Sequence, residues 1–150
     1  MTEEARLRII EIVSLLVIVL CIVAIAIPKS GDLRRRTVAE KMLADLDVVR
    51  TGVYAFYSDS AYFPVEVPSQ EIPAGLARYL PGDFNPRPAY GILKYRNWPV
   101  RARGESPATN VVGVTVTAND PRVANTATIL APNAPVFIVG GQYTFVFFGS

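Results

Sequence analysis

Between Glu11 and Pro28 lie 16 residues, of which Ser14 alone is polar. A helix that is apolar around its whole circumference has no side to offer water, so it must be enclosed by apolar surroundings on every face. Residues 9–27 make 19 positions, which at about 1.5 Å per residue approach the roughly 30 Å hydrocarbon core of a bilayer. A cleaved secretory signal has a shorter apolar core, about 7–15 residues, followed by small residues at the cut, and Ile25-Ala26-Ile27-Pro28 is a poor site of that kind. A retained transmembrane helix is therefore expected. Glu11 at its entrance has two explanations. A carboxylate within an apolar span marks a functional pairing with a cation, or it reaches the headgroups and needs no partner.

The chain has 150 residues, room for one domain beyond such a helix. Its 15 basic and 13 acidic residues leave a formal charge of +2, too small to point to nucleic acid or an anionic surface as a bulk partner. Histidine is absent, and the single cysteine, Cys21, sits inside the apolar run, so an intrachain disulfide is excluded and a thiol-based metal centre has no ligands. There is no Gly-x-Ser-x-Gly elbow and no Gly-rich phosphate loop, and Asp59, Glu66, Glu71, Asp83, Glu105 and Asp120 are scattered singly. We expect no enzyme, no cofactor and no metal site.

Beyond the apolar run, Ala39, Met42, Leu46, Val49, Val53 and Phe56 recur at spacings of three and four, with charged residues on the other faces. This predicts an amphipathic helix to about residue 58, joined to the anchor either as one kinked helix or as two. Pro28 and Gly31 are the points of interruption. Residues 59–88 hold six prolines and predict an ordered connection with a helical turn or two in residues 73–80. From residue 89 the pattern becomes β. Residues 90–95 and 111–118 are strand candidates, the latter with Val112, Val114, Val116 and Ala118 on one face, and residues 126–130 are a weaker third. Gly140-Gly141 between residues 136–139 and 143–148 marks a two-residue hairpin. The expected class is α+β, a long N-terminal helix on an antiparallel sheet of about four or five strands.

One segment interleaves cations with aromatics, with Lys94, Arg96, Trp98, Arg101 and Arg103 in close succession. It could hold phosphates and stack bases. The near balance of charge elsewhere favours the other explanation, a solvated strand edge whose cations block edge-to-edge pairing.

The glutamate and the proline at the two ends of the apolar run, with Ala24-Ile25-Ala26-Ile27-Pro28 as its ending, resemble the start of the type IV pilin and type II secretion pseudopilin family. Residues 53–64, a tyrosine-rich helix exit ending in Phe63-Pro64, resemble that family's helix exit, and residues 72–80 its following loop. The resemblance implies a leader-like segment over residues 1–6, an assembly half-helix over 7–28 and a pilin-like domain over 29–150. It implies storage as a single-pass protein of the inner membrane with the C-terminal domain on the periplasmic side, then assembly with copies of itself or related subunits. It also implies handling by a prepilin peptidase and an assembly platform. Glu11 would pair with the freed amine of a neighbour's Leu7, while Pro28 and Gly31 let the helix change shape. One position departs from the pattern. Arg6 stands where the family carries a glycine before the cut, so cleavage between Arg6 and Leu7 is placed by register, and an uncleaved, membrane-tethered binding module is the alternative. Counted alone, Lys29, Arg34, Arg35, Arg36 and Lys41 after the span would favour a cytoplasmic domain; the resemblance implies the opposite.

Overall fold

The computed structural model describes residues 3–100 and 109–149. Its elements in order are helices α1 (Glu3–Ser60) and α2 (Ala74–Ala77), strands β1 (Gly91–Val100) and β2 (Thr109–Ala118), helix α3 (Pro121–Leu130), and strands β3 (Val136–Val139) and β4 (Gln142–Gly149). The chain divides into two compact units, Met1–Arg35 and Arg36–Ser150, with the boundary falling within α1. Helical backbone continues through Pro28, so the two-helix alternative is not what forms. Among the described residues no helix is long and apolar enough to cross a membrane; the side chains of residues 9 and 25–27, which complete the expected span, lie outside them.

In the second unit α1 buries the expected stripe. Ala39, Met42, Leu46, Val49 and Val53 are buried and Phe56 half-buried, and they form one core with Leu93, Tyr95, Val112, Val114, Val116, Tyr143 and Phe145 of the sheet. Four antiparallel strands make that sheet among the described residues, in the order β1-β2-β4-β3. Val112, Val114 and Val116 point inward as their alternation requires. On the outer face Thr115 and Thr144 are also buried, their hydroxyls 2.9 Å apart.

The third strand candidate is corrected. Residues 126–130 belong to α3, although Thr126, Thr128 and Ile129 carry β-branched side chains. Asp120 caps the helix, its carboxylate accepting from the Arg122 N–H at 2.9 Å, and Pro121 occupies the first turn. Val123, Ala124 and Ala127 then turn one helical face into the core. Strand β1 also runs farther than expected, through Trp98 and Pro99.

Loop and helix meet closely at Gly52, where a Cβ would lie 2.6 Å from Leu80 Cδ2 and 3.2 Å from the Tyr79 carbonyl oxygen. The glycine that weakens the helix intrinsically is what lets the connection pack on it. Around this contact Phe56 meets Tyr62 and Tyr79 edge-on, each at 5.5 Å, and Tyr57 stacks on Phe63 at 4.6 Å. Tyr79 donates to Asp59, and that bond raises its phenol above the usual tyrosine range.

Along β1, alternate residues turn their N–H groups away from β2. Gly91 donates to the Pro88 carbonyl at 3.0 Å, Leu93 to Pro86 at 2.8 Å, Tyr95 to Glu71 at 2.8 Å, and Asn97 to the Glu66 carboxylate at 3.2 Å. The next outward position is Pro99, which has no N–H. The connection thus closes this edge. At the opposite edge, Gly140 and Gly141 take φ of +57° and +79°, the left-handed pair of a two-residue hairpin turn.

Candidate functional site

Within the first unit, the described part of the apolar run is exposed. Between Ile10 and Val23, eleven large aliphatic side chains are 46–65% exposed, and they point in every direction around the axis. Glu11 is also exposed at the start of this stretch. The run's lone polar side chain, Ser14, turns back on the helix and donates to the Glu11 carbonyl oxygen at 2.9 Å. Of the other expected assembly residues, Arg6, Leu7 and Pro28 lie on helical backbone, with side chains outside the described residues. Gly31 is half-buried, and a Cβ there would make ordinary contact with Arg35 at 3.8 Å. No steric demand within the unit explains that glycine. The basic stretch that follows is partly occupied, with Arg35 paired to Asp32 at 2.8 Å and Arg36 to Glu40 at 3.0 Å.

The cation-aromatic segment is built differently from either expectation. Lys94 Nζ donates to the Pro68 carbonyl at 2.8 Å. Arg96 pairs with Glu66 at 2.7 Å, donates to Thr115 Oγ1 at 3.3 Å and lies over the Trp98 ring at 5.9 Å. These cations neither stand free for phosphates nor fend off a strand from solvent. They fasten the proline-rich connection along β1. Arg101 and Arg103 lie outside the described residues. Sequence reasoning missed the partners because Glu66 and Pro68 precede them by 30 and 26 residues, beyond any local pattern.

More of the same fastening comes from groups with shifted titration. The Tyr95 hydroxyl donates to the Pro64 carbonyl at 3.0 Å, and burial, with the nearby Glu66 charge, holds its phenol well above the usual range. Tyr90 is raised likewise by burial and by its bond to Asp45 at 2.7 Å. The Arg87 guanidinium, donating to Glu71, holds that carboxyl below its usual range.

A shallow, mainly apolar groove of about 440 Å³ crosses the outer face of the sheet, floored by Thr115 and Thr144 and walled by Trp98, Val111, Phe137 and Val139. Among the described residues no cluster of His, Cys, Asp or Glu is placed to hold a metal ion. No family model matches the chain, and neither a curated protein nor a solved structure matches it.

Proposed function

We propose that this chain is a structural subunit of a filament of the type IV pilus or type II secretion pseudopilus kind, stored in the membrane through residues 9–27 and assembled through the same helix. The observation that carries this reading is the helix that exposes aliphatic side chains on all faces behind a carboxylate. Removing eleven half-exposed aliphatic side chains from water is worth on the order of 10 kcal/mol. That rivals the whole stability of a domain, about 5–15 kcal/mol, so the segment requires apolar surroundings, first lipid and then neighbouring helices.

Within packed helices Glu11 needs a cation, because an unpaired buried carboxylate is costly. A neighbour's free amine at Leu7 supplies one, and the pair sets the register between subunits. The C-terminal domain then lies on the extracytoplasmic side. Arg6 favours a second reading, an uncleaved tethered module, because it occupies the position of the glycine that the peptidase requires.

Glu11→Ala tests the pairing. Membrane association is expected to persist while incorporation into filaments is lost, and normal filaments from that variant would sink the reading. The intact mass of membrane-purified protein separates the alternatives. A chain beginning at methylated Leu7 supports assembly, and an intact Met1 supports the tethered module.

A further inference from the structure

β3 is an edge strand whose outer side is open among the described residues. In a two-residue hairpin the residues flanking the turn, Val139 and Gln142, exchange backbone hydrogen bonds, and alternate pairs follow. The Val146 N–H to Pro135 carbonyl bond at 2.9 Å keeps that alternation. Val136 and Ile138 therefore direct their N–H and C=O groups outward, and among the described residues no hydrogen bond reaches them. Phe137, Ile138 and Val139 are 60, 58 and 76% exposed.

Proteins usually guard such an edge with charge, proline or a covering segment. This one is short, but none of its residues is charged or a proline, and the 28 residues after Arg122 contain no charged side chain at all. Two copies of a charged edge would repel each other. Two copies of this edge would not. Head-to-tail extension of the sheet is closed off as well, because the outward N–H groups of β1 are already taken by the proline-rich connection and Pro99 has none.

We propose that β3 pairs antiparallel with β3 of a second copy of this chain, about a two-fold axis at Phe137. In that register Val136 exchanges hydrogen bonds with the partner's Ile138 and Ile138 with the partner's Val136, using every outward group of the strand. Phe137 faces its own copy across a non-hydrogen-bonded pair. The contact continues onto the apolar groove that Phe137 and Val139 wall with Trp98. With both β1 edges sealed, the sheet stops at eight strands, a closed dimer and not a fibre. A four-residue strand pair is small against the roughly 1,200–2,000 Å² of a stable interface, so the pairing belongs to high local concentration, as on a membrane or between filaments. It does not depend on the filament reading.

The test uses the full chain in bilayer vesicles with Cys21→Ser, which removes the free thiol. Directly opposed residues of a non-hydrogen-bonded pair have Cα atoms about 4.5 Å apart, within the roughly 4.4–6.8 Å of a disulfide, whereas diagonal positions are about 7–8 Å apart. Under mild oxidation Phe137→Cys is expected to form dimers at least about tenfold faster than Ile138→Cys. The same margin is expected over Val65→Cys, an exposed loop control at 71%. Amide exchange at Val136 and Ile138 of the unsubstituted chain is expected to slow as protein density in the vesicle rises. Equal cross-linking at all three positions, or exchange indifferent to density, overturns the proposal. Repeating the Phe137→Cys experiment with Glu11→Ala should leave the dimer intact, whatever becomes of filaments.

Discussion

Along β1, every outward N–H from Gly91 to Asn97 has an acceptor in the proline-rich connection, and two cations hold that connection in place. Along β3, at the other end of the same sheet, the strand is bare, uncharged and apolar. Charge on an edge strand therefore need not act by repulsion. Lys94 and Arg96 guard their edge by fastening a cover over it, and where no such cations occur, at β3, no cover forms among the described residues.

Unfastening β1 should cost the most stability. Glu66→Ala leaves Arg96, a quarter exposed at 25%, without its carboxylate and the Asn97 N–H without its acceptor. A loss of about 3 kcal/mol is expected from the urea midpoint, with faster amide exchange at Asn97. A loss below about 0.5 kcal/mol would mean that the loop's backbone carbonyls close the edge unaided.

Alkali attacks the same side more gently. The phenols of Tyr95 and Tyr90 titrate well above the usual range in the folded chain, and near 10 once unfolded. Their contribution is therefore complete below about pH 10 and declines above it, by up to about 1.4 kcal/mol per pH unit for each tyrosine. Denaturant midpoints across that range should fall, and Tyr95→Phe should remove one tyrosine's share of the slope. An unchanged slope would show that Tyr95 ionises in the folded chain at no cost.

The smallest effect is predicted at the bare edge. Phe137→Ser should shift the stability of the isolated chain by no more than about 0.5 kcal/mol, since the side chain is 60% exposed. A larger loss in thermal or urea unfolding would mean that β3 is part of the cooperative core and that the two edges are less different than their hydrogen bonds suggest.

Much of the architecture was legible because it is written in local periods. The stripe from Ala39 to Phe56, the alternation at Val112, Val114 and Val116, and the Gly140-Gly141 turn each carry their own geometry. Helix α3 carries no such clear period: Thr126, Thr128 and Ile129 are β-branched, and the Asp120 cap, Pro121 in the first turn and packing against β2 make the segment a helix. At the candidate site Glu11 and its apolar run were visible, since composition alone demands an apolar enclosure. The roles of Lys94, Arg96 and Gly52 were not, because their partners are set by the return of a distant loop.

Four of the carbonyls that hold β1 and its side chains, those of Pro64, Pro68, Pro86 and Pro88, belong to residues with no N–H. A strand laid on β1 would have satisfied it equally well and presented a fresh ladder of donors to the next chain. The prolines accept without donating, so the cover ends the sheet where another strand would only have moved its border.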